Sequence, residues 1–400
     1  MRASSAHGIR VAVCGDFPEE RWPSMDRFRA MLLEQLAKDH RDAFEASSVC
    51  PPYAHRFTRV AADARLAVKA DRFLNRFWEY PRRLERIAHD YDLFHIVDHS
   101  YAHLVHALPP GRAVVTCHDL DAFRSLLSPG QERRSGAFRF ATRKILTGLQ
   151  QAASVTCVTS ATRRELVARG VVREERTVVA HPGVSDVFRR DPGAAAERAA
   201  AALVSAPPGH ANGTIDLMHV GSTIPRKRID VLLRVCGALR LDHPSLRLLR
   251  VGGPMTSGQR AIAREAGIAD RVVEIDSVDD ETLAALYRRA AVVLQPSERE
   301  GFGLPLAEAM ATGTPIVASD IEALREVGGD AVEYCGVADL DAWRGTVDAL
   351  LCERRGDSNA WNARRDRGRA RAEMFTWRAF TDTVVAVYES LLTGAARQIA

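Results

Sequence analysis

Lysine is nearly absent from this 400-residue chain. Of its 55 basic residues only Lys38, Lys69, Lys144 and Lys227 are lysine, and the rest are arginine. A GC-rich coding sequence produces that bias, and a net charge of +4 is too small to mark a nucleic-acid binder. Cysteine is sparse and scattered: seven residues with no CxxC pair. Zinc-finger and redox spacings are therefore excluded, and reduced thiols in a cytoplasm are expected. No run of roughly 18 uncharged apolar residues exists, which excludes a spanning helix. The opening MRASSAHGIRVAVCGDF has no long apolar segment, so no cleaved signal peptide is expected. The first strand-like run leads into GDFPEE and lacks GxGxxG, which argues against a dinucleotide-dependent oxidoreductase.

What is present is a globular composition, 46% hydrophobic and 26% charged, at a length that suits two domains. Short β-branched runs alternate with helical patterns, the signature of an α/β chain with parallel sheets. Ile9–Cys14, Asp92–Val97, Ala113–Cys117, Ser154–Thr159 and Thr177–Ala180 read as one series of strands. Ile215–Val220, Leu246–Val251, Arg271–Ile275, Ala291–Gln295 and Pro315–Ser319 read as a second. The segment between, with HPGVSDVFRRDPG, an alanine-rich helical piece and PPGHANG, reads as a linker. Residues 1–185 are thus expected to form one Rossmann-like domain, 186–212 a linker and 213–375 a second Rossmann-like domain. Within 376–400, Trp377, Phe380, Val384, Val387, Tyr388 and Leu391 share one face of a terminal helix. Ligands of such sheets bind beyond the carboxyl ends of the strands, so the loops there hold the candidate chemistry.

Two loops stand out. Gly221-Ser222-Thr223-Ile224-Pro225-Arg226-Lys227-Arg228 follows a strand and opens a helix. Cations at a helix N-terminus oppose its dipole, by about 0.3–1 kcal/mol each, and an anion resolves the conflict. Arg226 and Lys227 are read as an anion site, and Arg228 as solvated charge. After Ala291–Gln295 comes PSEREGFGLPLAEAMATG. Gly301 and Gly303 allow close backbone approach to a ligand, Pro305 suits a helix start and Gly313 its end. Glu308 is the only charge in an apolar helix and should accept hydrogen bonds, from a sugar hydroxyl pair or from an internal arginine. Glu300 precedes the glycine turn, at the mouth of the cleft, with Glu298 and Arg299 turned to solvent.

The run S-x-x-E-G-F-G-L-P-x-x-E-A-M-A-x-G-x-P-I-V-A-S-D resembles the glutamate–seven–glutamate signature of the retaining GT-B glycosyltransferases of family 4, group 1. The strand–VG–RK–helix stretch, the DDETLAALYRRA helix, the HPGVSDVF turn and the terminal FTW…VY helix are similar to the same family. The resemblance is strong from about residue 177 onward and weaker before. It implies a GT-B fold: two Rossmann-like domains whose parallel sheets face a central cleft, with the terminal helix crossing back to the first domain. It implies that Lys227, with Arg226, holds a donor diphosphate beside Gly221 and Ser222. Glu308 would bind the ribose, and the stretch near Val278 the base. Glu300 would contact the transferred sugar, while the amides of Gly301, Phe302, Gly303 and Leu304 face sugar and phosphate. His118 would be the active-site histidine. No metal or other cofactor is implied, since cations and helix dipoles neutralise the leaving diphosphate. The donor would be a UDP-, GDP- or other nucleotide-diphosphate sugar.

In the first half, Asp98 and His99 are candidates for holding acceptor hydroxyls, with Asp119 beside His118. Asp119-Leu120-Asp121 also mimics a DxD metal motif, which belongs to another glycosyltransferase fold. The cluster His95, Asp98, His99, His103 and His106 offers either metal ligands, acceptor contacts or structural groups. Where relatives have a Gly-Gly turn this chain has WPSMDRF, and Ser24 is either an acceptor contact or a helix N-cap. The stretches 61–89 and 131–151 mix arginines with Phe73, Phe77, Trp78, Phe138 and Phe140, a pattern that sits on an anionic bilayer or is solvated. The expected activity is a retaining, metal-independent hexosyl transfer to a glycan, lipid-linked or small-molecule acceptor, in the cytoplasm or at the inner membrane face. A catalytically idle nucleotide-sugar binder and a metal-dependent hydrolase are the alternatives.

Overall fold

The computed structural model describes residues 8–60, 64–130, 132, 134–204 and 213–399. Part of the expected linker, 205–212, and residues 61–63, 131 and 133 of the two basic stretches lie outside the described residues. The chain divides into two compact units. Residues up to Gly183, with Trp377 onward, form the first, and Val184–Thr376 the second.

In the first unit the strands are β1 (Ile9–Cys14), β2 (Phe44–Val49), β3 (Leu93–Ile96), β4 (Ala113–Cys117), β5 (Ser154–Cys157) and β6 (Thr177–Val179). They form one parallel sheet in the order β2-β1-β3-β4-β5-β6. The central strands are continuously buried, as a sheet covered on both faces requires. Alternate residues go to opposite faces. Ala12, Cys14, Phe94 and Val115 pack with Tyr80, Tyr101 and Leu149. Val11, Val13, Leu93 and Val114 pack with Phe28, Leu32 and Leu36 of the helix Pro23–Asp39. Onto that second face the terminal helix Trp377–Ile399 lays Trp377, Phe380, Val384 and Tyr388. The terminal helix therefore belongs to the first unit.

The second unit has β7 (Ile215–Val220), β8 (Leu246–Val251), β9 (Val272–Ile275), β10 (Val292–Gln295), β11 (Ile316–Ser319) and β12 (Glu333–Cys335). Its parallel order is β12-β11-β10-β7-β8-β9. The chain runs outward through β7, β8 and β9, then returns to β10 and runs outward the other way. The switch of direction lies between β7 and β10, and in the first unit between β1 and β3. Crevices at such switch points are where open α/β sheets take ligands. The segment just before β7 carries a one-turn helix, Asp186–Phe188, and the helix Ala194–Leu203, both within the second unit.

Two strands escape the sequence reading, β2 and β12. Both are edges of their sheets. FEASSV and EYC are half polar because an edge strand need bury little. Ser24 is not an N-cap: the helix begins at Pro23, with Trp22 at the cap position and no side-chain cap bond. The second basic stretch forms the helix Gly136–Gln151. The first forms two helices, Arg65–Leu74 and Tyr80–Ile87, joined by a wide turn at Asn75–Glu79. Among the described residues, no helix is long and apolar enough to cross a membrane.

Candidate functional site

The loops that follow β7 and β10 flank the switch point of the second unit, and they are stitched together. The amide of Glu298 donates to the Arg226 carbonyl at 2.7 Å. Arg226 Nη1 donates to the Arg299 carbonyl at 2.8 Å and to Glu300 Oε2 at 3.3 Å. Lys227 Nζ donates to Glu300 Oε1 at 2.5 Å. The same oxygen accepts from Ser297 Oγ at 2.7 Å and Gln295 Nε2 at 3.0 Å. Glu300 is thus not a mouth residue: its side chain is 6% exposed. Burial alone would raise its pKa, but Lys227, Arg226 and the bonds from Lys227 and Ser297 outweigh burial and hold it at about 2. Arg228 turns the other way into a two-bond pair with Asp230, each bond 2.9 Å, and caps the helix Ile229–Leu239 in a left-handed conformation. Glu298 and Arg299, read as turned to solvent, pair with each other and are part-exposed.

Behind this cluster lies a row that the sequence reading missed. His219 on β7 and Arg250 on β8 are register partners, and both are essentially unexposed. Arg250 bonds to the carbonyl oxygens of Gly221, Gly252 and Gly253, so its guanidinium ties the glycine turn after β7 to the one after β8. The turns touch: a Cβ on Gly252, at φ +118°, would stand 2.4 Å from the Gly221 oxygen. The available signal was the polar residues inside each strand, IDLMHV and LRLLRV.

The helix Leu304–Thr312 begins one residue before the expected Pro305, with Gly303 at its cap, and ends at Gly313. Gly303 takes a positive φ and Gly301 does not. Phe302 is buried, edge-on to Phe375. Glu308 is buried and accepts the Tyr287 hydroxyl at 2.9 Å, a bond across to the helix Asp280–Arg289. Ser222 is exposed beside Gly221, and Val278, beyond β9, is half-buried.

In the first unit the loops after β1 and β3 flank the switch point. They carry Asp16, which the sequence reading did not single out, and Asp98. Asp16 is 4% exposed and neither carboxylate oxygen has a hydrogen-bond partner. Burial, then the nearby Asp98 carboxylate, push its pKa up to about 9. Asp98 is held low despite burial, by His99, His118 and two bonds from Ser100 at 2.8 and 2.5 Å. One carboxyl of the pair is therefore protonated at neutral pH and the other ionised. His99 Nδ1 accepts the His118 amide at 3.2 Å, and its Nε2 lies 3.7 Å from Asp119 Oδ1. His118 Nε2 lies 2.8 Å from the Val97 carbonyl and so donates to it, which leaves Nδ1 as the acceptor. Burial lowers the His118 pKa, so the ring is neutral. Asp98, His99, His118 and Asp119 are thereby one cluster, while Ser24 is exposed in the first turn of its helix.

The remaining histidines disperse. His95 bridges the Tyr388 hydroxyl (2.6 Å) and Thr116 (2.7 Å), His103 Nε2 lies at the Arg76 carbonyl, and His106 turns to Gln151 and Lys144. Among the described residues no group of three or more His, Cys, Asp or Glu is arranged to hold a metal ion.

Two family models match the chain: "Glycosyltransferase Family 4" over residues 27–187 and "Glycosyl transferases group 1" over 204–362. The chain belongs to the group 1, family 4 glycosyltransferases. Their GT-B fold is the one described above. A D-inositol 3-phosphate glycosyltransferase of Geodermatophilus obscurus is 34% identical over 249 residues, 59% of this chain and 51% of that one. The MMP alpha-(1->4)-mannosyltransferase of Mycolicibacterium hassiacum is 38% identical over 180 residues, 43% and 42% of the two chains. The matched region spans about half the length of these curated relatives or less. Among solved structures, sucrose-phosphate synthase from Thermosynechococcus elongatus has a TM-score of 0.69 at 19% identity, covering 96% of this chain and 100% of that one. HepE from Anabaena, in complex with UDP and glucose, has 0.69 at 16% identity with the same coverage. At those identities the likeness shows the fold of this family member and no more.

Proposed function

We propose that this family member transfers a sugar from a nucleotide-diphosphate sugar to an acceptor hydroxyl, with retention of anomeric configuration. The observation that carries the reading is the Lys227–Glu300–Arg226 cluster at the β7/β10 switch point. There two cations converge on one buried carboxylate, above glycine turns that Arg250 pins from beneath. Two cations on one carboxylate leave a net positive site, suited to a diphosphate. The anion would draw Lys227 and Arg226 to itself and release Glu300 to accept sugar hydroxyls. Glu308 and the amides of Gly301–Leu304 would complete the donor contacts, with Gly221 and Ser222 at the phosphates, the ribose at Glu308 and the base near Val278.

Charge developing on the leaving diphosphate would be stabilised by fixed cations and backbone dipoles, which need no reorganisation during the reaction. The departing phosphate would then take the acceptor's proton on the same face, so no side-chain nucleophile or metal is invoked. The acceptor would meet the carboxyl edge of the first unit's sheet, where Asp98, His99, Asp119 and neutral His118 supply acceptors and donors for hydroxyls. The solved relative with UDP and glucose and the two curated glycosyltransferases support this class of donor and reaction. A thermal-shift panel of UDP- and GDP-sugars, followed by a transfer assay on those that bind, tests the reading. Binding without transfer or hydrolysis of any donor would make the chain an idle nucleotide-sugar binder.

For the acceptor's location we propose a membrane face. Phe73, Trp78 and Phe140 are exposed large side chains among arginines of the first unit, and Arg82 stacks on Trp78. Sedimentation with vesicles containing about a third anionic lipid should carry the protein down, and Trp78→Ser with Phe140→Ser should reduce that. Equal sedimentation with neutral vesicles would count against it.

A further inference from the structure

The His219 side chain takes part in none of the hydrogen bonds of the second unit's cluster, although Lys227, Arg250 and Glu300 all lie near it. Its side chain is 1% exposed, and neither Nδ1 nor Nε2 has a hydrogen-bond partner. A buried polar group left unmade is costly and calls for a reason. The surroundings supply one. A Cβ built on Gly221 would stand 3.3 Å from His219 Cε1, 3.6 Å from Nε2 and 3.7 Å from Lys227 Cε. The Nε2 edge of the ring and the aliphatic chain of Lys227 therefore border the same small space over Gly221. Only glycine leaves it open, and Gly221 has the positive φ, +151°, that glycine permits. Lys227 lies against this space while it reaches to Glu300.

We propose that His219 is a ligand of the donor diphosphate, its neutral Nε2–H donating to a phosphate oxygen seated over Gly221 beside Lys227. This rests on the donor site proposed above and adds to it a hydrogen-bond donor from the sheet itself. Neutrality suits the place. Burial, with Lys227 and Arg250, holds the ring's pKa at about 3 against the opposing pull of Glu300. The imidazole thus keeps one N–H and one lone pair throughout the neutral range. A further cation here would repel Lys227 and Arg250 before any anion arrived.

Calorimetric titration of UDP-glucose and GDP-mannose into the wild-type chain, His219→Phe and His219→Gln tests this. Phenylalanine should weaken binding of the preferred nucleotide sugar by about tenfold or more, and glutamine, which keeps an N–H, should restore most of it. Wild-type affinity in His219→Phe, or equal weakening in both variants, would overturn the proposal while leaving the donor site standing. Should His219→Phe fail to fold, 15N-histidine spectra of the wild-type protein give the answer. One imidazole N–H resonance, absent from His219→Gln, should move downfield when the nucleotide sugar saturates the site, and no imidazole change would overturn the proposal. If neither nucleotide sugar, nor UDP nor GDP, binds the wild-type chain, the donor reading itself fails.

Discussion

Lys227 Nζ and Glu300 Oε1 lie 2.5 Å apart, joining turns that are 73 residues distant in the chain. In this arrangement the carboxylate stands where an anionic ligand's charge would stand, so protein and ligand compete for the same cation. Glu300→Gln removes the internal competitor and keeps the shape. It should bind a nucleotide diphosphate at least as tightly as the wild type, while transferring sugar about 100-fold more slowly or worse. Titration with UDP and GDP and a donor-saturated rate measurement check the two halves. Weaker nucleotide binding in Glu300→Gln would contradict the competition.

The same carboxylate should be visible in acid stability. Its folded pKa of about 2 lies below its ordinary value of 4.5. Its contribution is therefore full above about pH 4.5 and is lost as pH falls through about 2. The shift corresponds to a contribution of the order of 3 kcal/mol. Urea titrations between pH 5 and 3 should show a shallower loss of stability for Glu300→Gln than for the wild type. Parallel curves would mean that Lys227 and Arg226 do not hold the charge.

Asp16 has the opposite sign. Its pKa is raised in the folded chain, so the folded state binds the proton more tightly than the unfolded one. Its contribution is full below the ordinary value of 3.8 and falls as pH rises towards about 9. Asp16→Asn keeps a neutral group of the same shape at every pH. Its Tm should exceed that of the wild type by a margin that grows from pH 5 to pH 8, reaching at least about 2 °C. A margin that shrinks as pH rises would place the proton elsewhere.

Much of the fold was legible because the central strands are apolar runs of the length a buried parallel strand needs. Ile9–Cys14, Ala113–Cys117, Ile215–Val220 and Leu246–Val251 begin and end where they were read. The edge strands Phe44–Val49 and Glu333–Cys335 were not, since an edge is not obliged to be apolar. Lys227 and Glu300 stood out singly, but their pairing depends on strand order, which puts β10 beside β7 and no local pattern encodes. Glu308 was read as a buried acceptor, while its partner Tyr287 lay unremarked in the DDETLAALYRRA helix. Asp16, His219 and Arg250 escaped notice for one reason. Each is a polar residue within or just after a strand, and only the structure shows that burial leaves it short of partners or ties it to a glycine turn.

If the turns after β7 and β10 hold a nucleotide-diphosphate sugar through Lys227, removing that cation should weaken donor binding. Calorimetric titration of the donor panel into the wild type and Lys227→Ala measures that loss. At least one nucleotide sugar should bind the wild type, and its affinity should fall about tenfold or more in Lys227→Ala, with circular dichroism unchanged. Equal affinity in the two proteins would contradict it.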